Sequence, residues 1–326
     1  MLYFDCAASA PVLPIVIDTV KDVVQWGLAN PNSVHWRGRW ARENLENARC
    51  MIAECISAKP SEIAFTPSAT AACQYAMDYL MIGEISPYEH KAVQAFGKGP
   101  GIAWMLANNE TGELFYDRVV ELATHNAVFT DATAAMGHFA VDVRDLGVVA
   151  LAAGGHKFGA LPGIGFVYVR GGVSDEDTYP GTPPVALALG MANAIKYRTE
   201  HIISNVESML KNRSYLVDNL IKIPGTYINA IEKVRLPNIV SVRFDGINAK
   251  ELLTLLDVNG LCASAGSACT ADSDEPSKAL LATGLTREEA LSTIRLSFCE
   301  ETPSGDFIEA VRIIRNCVAR LRDINE

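Results

Sequence analysis

Short apolar runs alternate along the chain with longer segments in which apolar residues recur every three to four positions. The short runs predict β-strands at residues 62–66, 102–107, 127–130, 148–153, 165–170 and 239–244. The longer segments predict α-helices at residues 39–57, 69–79, 118–123, 185–211, 249–257 and 304–322. Alternating strands and helices are typical of an α/β fold with a mainly parallel sheet.

The helical pattern from residue 184 to about 221 contains no strong breaker. We therefore expect it to connect a large domain, residues 12–205, to a smaller one formed by residues 1–11 and 206–326. A strand, a helix, a loop and a further helix follow residue 225, which suits a second α/β layer. No internal repeat is expected.

Composition narrows the class of protein. With 49% hydrophobic residues, the chain can form a large core and is not expected to be disordered. The net charge of −10 disfavours non-specific nucleic-acid binding. No apolar run is long enough to span a bilayer, and the N-terminus lacks the basic region of a signal peptide. A cytoplasmic location is expected.

Eight cysteines are present, without a CxxC pair or a Cys/His cluster with the spacing of zinc ligands. We expect reduced thiols that mostly serve as small buried groups, and no metal site. A cysteine with a chemical role would act as a nucleophile.

Two apolar strands run into candidate catalytic residues. Lys157 lies in a glycine-flanked segment, GGHKFG at 154–159, where a lysine in a partly apolar cleft could form a Schiff base. A surface lysine in a glycine turn fits this segment equally well. Asp131 ends a strand at the edge where α/β proteins bind ligands. Its carboxylate could hold a pyridinium nitrogen or could cap a helix.

Two further segments contain small residues. Residues 65–72 (FTPSATAA) join a strand to a helix start, which suits a phosphate but also suits ordinary N-capping by Ser68 or Thr70. Residues 264–270 (SAGSACT) form a loop with Cys269 near its end. This cysteine is either a mobile nucleophile or an inert loop residue. The segment GKGPG at 97–101 lacks the GxGxxG spacing and is interpreted as a turn.

These motifs belong to an ordered set that covers nearly the whole chain. Its segments are 3–8, 30–38, 66–70, 89–90, 108–110, 131–133, 156–157, 181–182, 236–239, 266–269, 275–277 and 294–297. In this combination the chain resembles the cysteine desulfurases of the NifS/IscS type. These belong to the class V aminotransferase superfamily, fold type I enzymes that use pyridoxal 5′-phosphate (PLP). The motif GSACT followed by EPS at 275–277 is the most specific part.

The resemblance implies a fold type I enzyme with a large, mainly parallel sheet domain and a smaller C-terminal α/β domain. It implies that Lys157 forms the Schiff base with PLP and moves protons at the substrate carbons. Asp131 would pair with the pyridine nitrogen, and His90 would stack on the ring and exchange protons with the substrate thiol. The products would be L-alanine and a persulfide on Cys269, whose sulfur passes to an acceptor protein of unknown identity.

Other positions take their roles from the same resemblance. Thr70 and His156 would hold the phosphate, with Thr182 reaching in from the second subunit of a homodimer. Three residues would bind the cofactor or the substrate carboxylate, namely Asn30, Asn109 and Arg295. A bidentate arginine–carboxylate pair would fix the amino acid for reaction.

The chain departs from the family pattern near the cofactor. Ala134 replaces a glutamine, Gly154 replaces a phosphate-binding serine, and Cys6 replaces an asparagine. The loss of two cofactor hydrogen bonds at about 1 kcal/mol each predicts either weaker PLP retention or a compensating contact. The stretches 90–108 and 170–181 are shorter than the family norm, and we expect no scaffold-binding tail. We therefore expect a different sulfur acceptor, such as a partner in tRNA, cofactor or DNA sulfur modification.

Two other functions fit the sequence. The first is another class V enzyme, an aminotransferase or a selenocysteine lyase, in which Cys269 is incidental. The second is a non-catalytic partner that retains the fold. The retained Lys157, Asp131, His90, Arg295 and Cys269 argue against the second, because a scaffold needs none of them.

Overall fold

The computed structural model describes residues 1–93, 99–266 and 275–325. The chain divides into two compact units. The larger unit contains Ser9–Ala107 and Phe115–Ile202, and the smaller contains Met1–Ala8, Asn108–Leu114 and Ile203–Glu326. The domain boundaries expected near residues 12 and 205 stay a prediction.

The secondary structure follows the α/β alternation. The strands are β1 (Leu2–Tyr3), β2 (Ile63–Thr66), β3 (Ile82–Ile85), β4 (Gly101–Ala103), β5 (Val128–Asp131), β6 (Ala150–Gly154), β7 (Gly165–Val169), β8 (Thr226–Ile228), β9 (Ile239–Phe244), β10 (Leu261–Cys262) and β11 (Thr293–Ser297). The helices are α1 (Pro14–Gly27), α2 (Trp36–Cys55), α3 (Ala69–Leu80), α4 (Tyr116–Ala123), α5 (Val143–Leu146), α6 (Asp175–Thr178), α7 (Val185–Glu200), α8 (Ile202–Leu220), α9 (Ala249–Val258), α10 (Lys278–Ala282), α11 (Arg287–Leu291) and α12 (Ser304–Asn325). Single 3-10 turns cover Pro60–Glu62 and Gly155–Lys157.

The larger unit is built on a six-stranded sheet in the order β2-β7-β6-β5-β4-β3. Strands β6, β5, β4 and β3 run parallel, whereas β7 is antiparallel to both of its neighbours. Every residue of β5, β6 and β7 is buried, which is why their sequences are continuous apolar runs. Small residues on α3, including Ala72 and Ala76, pack in the core with Ala152 and Val167. The expected mainly parallel α/β sheet is confirmed.

The long helix predicted from residue 184 onward is interrupted. Helix α7 ends at Glu200, and His201 leaves the helical region with φ −107° and ψ 10° before α8 begins. The imidazole Nδ1 of His201 lies 2.9 Å from the carbonyl oxygen of Tyr197, and the two rings stack. The His201 side chain therefore competes for a carbonyl group of its own helix. No glycine or proline in the sequence marks this helix break.

The smaller unit contains the antiparallel sheet β11-β9-β8 and the parallel pair β1-β10. Phe4, Phe298 and Phe307 meet edge to face in its core, with ring centroids 4.9–6.4 Å apart. The segment Asn108–Leu114 belongs to this unit, because Leu114 N–H donates to Val234 at 2.9 Å and Gly112 accepts a hydrogen bond from Leu236 N–H at 2.8 Å. The sequence did not predict this placement.

The seven cysteines among the described residues are all free thiols. Cys50 is exposed, two are intermediate (Cys55 and Cys262) and four are buried (Cys6, Cys73, Cys299 and Cys317). The thiols of Cys6 and Cys299 form a hydrogen bond, which together with burial raises the pKa of Cys6. Among the described residues, no helix combines the length and the apolar character needed to span a membrane.

Candidate active site

Four neighbouring strands of the larger unit, β2, β7, β6 and β5, reach one edge of the sheet together in a row of residues. Gly165 of β7 pairs with Thr66 of β2 on one side and with Gly154 of β6 on the other. On the next strand, Asp131 of β5 pairs with Ala152, two residues before Gly154. The carboxyl ends of β2, β5 and β6 therefore lie at the same edge of the sheet, where α/β proteins bind ligands.

Helix α3 begins directly beyond this row. Its N-cap is Ser68, whose hydroxyl accepts a hydrogen bond from Ala71 N–H at 3.2 Å. Thr70 lies exposed in the first turn of α3. A Cβ atom on Gly165 would lie 3.0 Å from Ala69 N, so glycine allows β7 to approach this turn closely. The capping that the sequence allowed is therefore present, and the N-terminus of a 12-residue helix faces the row.

Lys157 leaves the same row from β6. Gly154 ends the strand, and the 3-10 turn Gly155–Lys157 follows at once. His156 and Lys157 are both half-buried. Burial, reinforced by the nearby charge of Lys157, lowers the pKa of His156 to about 4, so its ring is neutral at physiological pH. A neutral imidazole can bind a phosphate only as a hydrogen-bond donor.

Asp131 closes β5 with a side chain that is almost completely buried. Its Oδ1 accepts a hydrogen bond from Thr133 N–H at 2.9 Å, so the carboxylate caps a turn and not a helix. The hydroxyl oxygen of Thr133 is buried without a hydrogen-bond partner among the described residues. Asp131 also forms a hydrogen bond with the thiol of Cys73 on α3, and burial together with the charge of this carboxylate raises the pKa of that thiol.

His90 completes a cluster with these two groups. Burial lowers the pKa of His90, the charge of Asp131 opposes this effect, and the charge of Lys157 reinforces it. Its Nδ1 accepts a hydrogen bond from Ala92 N–H at 3.2 Å, so the neutral ring carries its proton on Nε2. The fold thus brings the predicted Lys157, Asp131 and His90 into electrostatic reach of one another.

Sequence reasoning missed a second acid beside Asp131. Glu89 is buried, and burial together with the charge of Asp131 raises its pKa to about 8. Its Oε1 accepts hydrogen bonds from Ser86 Oγ at 3.0 Å and from Met105 N–H at 2.5 Å. Cys73 was also missed, although its spacing of three from Thr70 places both on one side of α3.

In the smaller unit, the structure brings together two predicted substrate-binding residues. Arg295 on β11 is 2% exposed, and its Nη1 donates to the carbonyl oxygen of Asn109 at 2.8 Å. Its Nη2 donates to Oδ1 of Asp5 at 2.8 Å, an ion pair that sequence reasoning missed. The buried Nε has no partner among the described residues. Asp5 and Arg295 are 290 positions apart, so no local pattern could reveal the pair.

The remaining predicted residues fall in two places. On the larger unit, Asn30 Nδ2 donates to the hydroxyl oxygen of Thr182 at 3.4 Å, and both residues are exposed. Cys269 lies outside the described residues. Before it, Gly266 has a φ of +72° and leaves room for Oε2 of the buried Glu110, which a Cβ would approach to 2.6 Å.

Comparison with known proteins identifies the family of this chain. The Aminotransferase class-V family model matches residues 2–95, 100–177 and 173–307. An IscS-like cysteine desulfurase of Mycobacterium tuberculosis is 30% identical, over 99% of this chain and 97% of the relative. The cysteine desulfurase IscS of Methanosarcina thermophila is 29% identical, over 99% of this chain and 93% of the relative. The alignment with the Mycobacterium protein extends over 383 positions against 326 residues here, so this chain is shorter.

Solved structures show the same likeness. A NifS-like protein superposes with a TM-score of 0.85 at 25% identity, covering 98% of this chain and 99% of the other. A structure described as SspA in complex with cysteine superposes with a TM-score of 0.77 at 26% identity, covering 93% of this chain and all of the other. The chain therefore belongs to the aminotransferase class-V family and, within it, to the cysteine desulfurases of the NifS/IscS type.

Proposed function

We propose that the protein is a PLP-dependent cysteine desulfurase that converts L-cysteine to L-alanine and leaves a persulfide on Cys269. The observation that carries this proposal is the cluster of Lys157, Asp131 and His90 at the carboxyl edge of the large sheet. Relatives that match nearly the whole chain are named cysteine desulfurases, and one related structure contains cysteine.

The residues at this edge fit PLP. The start of α3 offers N–H groups and the positive end of the helix dipole to a phosphate. The buried carboxylate of Asp131 suits a protonated ring nitrogen, and Lys157 supplies the amine that such enzymes require. The buried hydroxyl of Thr133, which lacks a partner among the described residues, offers one further polar contact. We assign the phosphate to Thr70 and His156.

When bound, PLP withdraws electrons from the amino acid, so that a proton can leave Cα and the C–S bond can break. The Nζ amine of Lys157 accepts the proton from the substrate Cα and later returns a proton to the reacting molecule. His90, held neutral by burial, carries a proton on Nε2 that it can exchange with the substrate thiol. The carboxylate of Asp131 stabilises positive charge in front of it.

Arg295 and Asn109 are the proposed substrate-binding residues of the smaller unit, and Asn30 is the one proposed on the larger unit. A guanidinium held rigidly by two contacts of its own loses little conformational freedom when it receives a carboxylate. The contacts to Asn109 and Asp5 therefore orient Arg295 in advance of substrate binding. This arrangement favours an amino acid over an amine that lacks the carboxylate.

Cys269 supplies the thiolate that attacks the substrate sulfur. A new S–S bond forms as the bond from sulfur to Cβ breaks, and the electron pair of that bond leaves with the carbon. The carbon takes up a proton and becomes the methyl group of alanine. One thiol and one cysteine thus give one persulfide and one alanine, so no external oxidant is required.

We further propose that the enzyme is a cytoplasmic homodimer in which Thr182 reaches the phosphate site of the second subunit. Four large side chains near Asn30 on the larger unit support an interface there, since each is 60–87% exposed: Trp26, Leu28, Val34 and Trp36. Thr182 lies beside Asn30 and is itself exposed. An anaerobic sedimentation experiment measures the oligomeric state, and a monomer at micromolar concentration would contradict the proposal.

An anaerobic assay with L-cysteine and added PLP tests the proposed activity. We expect alanine and a persulfide on Cys269 in equal amounts after one turnover, as measured by amino-acid analysis and by peptide mass spectrometry. Cys269→Ala should abolish the persulfide, and Lys157→Ala should abolish both products. Full sulfur transfer by Cys269→Ala would instead indicate another class V activity, and the absence of a PLP absorbance band would indicate a non-catalytic protein.

A further inference from the structure

Two buried basic side chains lie against the backbone that carries Lys157. Arg198 on α7 is 0% exposed, and His138, in the turn region after β5, is 5% exposed. Neither residue belongs to the motifs from which the family was recognised. Both lie in the larger unit together with Lys157.

Each of them bonds to the backbone at the lysine. Arg198 Nε donates to the carbonyl oxygen of Phe158 at 3.2 Å, and His138 forms a hydrogen bond with the backbone of Lys157. The packing is close, because a Cβ on Gly137 would lie 2.8 Å from Cβ of Phe158 and 3.2 Å from Cγ of Arg198. Gly137 also has a φ of +82°, which disfavours any other residue there.

The sheet itself does not provide these contacts. Strand β6 ends at Gly154, so Lys157 and Phe158 lie beyond the ladder of hydrogen bonds between β6 and β7. Within the turn, the Phe158 N–H donates to the carbonyl oxygen of Gly155. The Phe158 carbonyl accepts its hydrogen bond from outside the turn, from Arg198. A buried carbonyl needs a donor, but a neutral donor would satisfy it at a lower desolvation cost than a fully buried guanidinium.

The pair carries one positive charge. Burial lowers the pKa of His138 to about 3, and the charge of Arg198 acts in the same direction. The imidazole therefore remains a neutral hydrogen-bonding group at any pH at which the protein works. A single fixed charge on Arg198 gives the stronger, charge-assisted bond to Phe158.

We propose that Arg198 and His138 are positioning residues that fix the peptide unit of Lys157 and Phe158 while the Lys157 side chain moves between cofactor and substrate. This inference rests on the proposed role of Lys157, but the contacts themselves exist without any ligand. A lysine on a loose backbone would approach the substrate carbon in many geometries, and small misplacements of a reacting group cost large factors in rate.

Amide hydrogen exchange of the apo-protein tests the contacts directly. Arg198→Met removes the bond to Phe158, and His138→Phe removes the bond to Lys157 at similar volume. We expect amides 155–160 to exchange at least about tenfold faster in Arg198→Met, since a bond to a charged group contributes about 1.5–3 kcal/mol and each 1.4 kcal/mol is a factor of ten. In His138→Phe we expect about two- to tenfold faster exchange, since a bond between neutral groups contributes about 0.5–1.5 kcal/mol. Arg213→Met is the control, because it removes an arginine bond to the Leu236 carbonyl (2.8 Å) in the other unit.

Kinetics of the holoenzyme supply the second readout. We expect kcat to fall about tenfold or more in Arg198→Met and His138→Phe while KM for L-cysteine stays within about twofold, and His138→Gln, which keeps an N–H donor, to restore part of kcat. If Arg198→Met does not fold, Arg198→Lys and His138→Phe carry the test. Exchange that rises uniformly across the chain, or that stays unchanged at 155–160, overturns the proposal even if the enzyme is an active desulfurase.

Discussion

The ion pair between Asp5 and Arg295 makes a quantitative prediction about the smaller unit. Arg295 is 2% exposed and Asp5 is 19% exposed, so water screens the pair poorly. Asp5→Asn keeps an oxygen that can accept from Nη2 but removes the negative charge. Breaking a buried pair by removing one charge costs about 3–5 kcal/mol, and the retained hydrogen bond offsets about 1 kcal/mol of this. We expect Asp5→Asn to destabilise the protein by about 2–4 kcal/mol.

A double-mutant cycle isolates the pair from its surroundings. Urea unfolding of the apo-protein, Asp5→Asn, Arg295→Met and the double variant should give a coupling energy of about 2 kcal/mol, because the two side chains touch at 2.8 Å. The matched control is the exposed pair of Arg312 and Glu309, for which we expect a clearly smaller coupling energy because water screens both charges. A coupling for Asp5 and Arg295 below about 0.5 kcal/mol would refute this reasoning.

Three further outcomes follow from buried groups in the larger unit. The pKa of Glu89 is raised to about 8, so its contribution to the free energy of unfolding is complete below the unfolded value of about 4.5 and is lost as pH rises through 8. Urea unfolding of Glu89→Gln from about pH 5 to 9 should show a smaller loss of stability with rising pH than the unchanged protein, and an equal loss would contradict the shift. The pKa of His138 is lowered to about 3, so its contribution to the free energy of unfolding is complete above about pH 6.5 and is lost as pH falls. In His138→Gln the number of protons taken up on unfolding near about pH 5 should drop by about one, which calorimetry in two buffers measures. Gly154→Ser would place a Cβ 2.8 Å from Ala69 Cβ, so we expect a loss of about 1–3 kcal/mol in stability and poorer PLP retention, both relieved by adding Ala69→Gly. Improved PLP affinity in the single variant would contradict this, because it would show that the backbone moves to make room for the side chain.

The sequence predicted those parts of the site that depend on fully buried strands. Continuous apolar runs identified β5, β6 and β7, and their ends placed Asp131 and Lys157 at one edge of the sheet. Strand register then brought Thr66 and Gly154 onto either side of Gly165. The pattern of apolar residues is enough to identify such strands, because a strand that is buried on both faces requires an apolar residue at almost every position.

Long-range polar contacts could not be predicted in the same way. Nothing in the neighbourhood of Asp5 indicates an arginine 290 positions away, and nothing near Lys157 indicates that Arg198 bonds to the next carbonyl. The break at His201 depends on a side chain that competes with its own helix, which apolar periodicity does not record. These contacts arise only after the chain has folded.

The distribution of thiols has a consequence for the fate of sulfur in this molecule. A persulfide can pass its outer sulfur to any accessible thiolate, so every other cysteine is a competing acceptor. Four of the seven described thiols are buried, and burial raises the pKa of Cys73 and Cys317, which suppresses the reactive form. Cys50, on the exposed surface of α2, is the described thiol most open to capture stray sulfur. Burial in the fold thus insulates four of the seven described cysteines from such transfer.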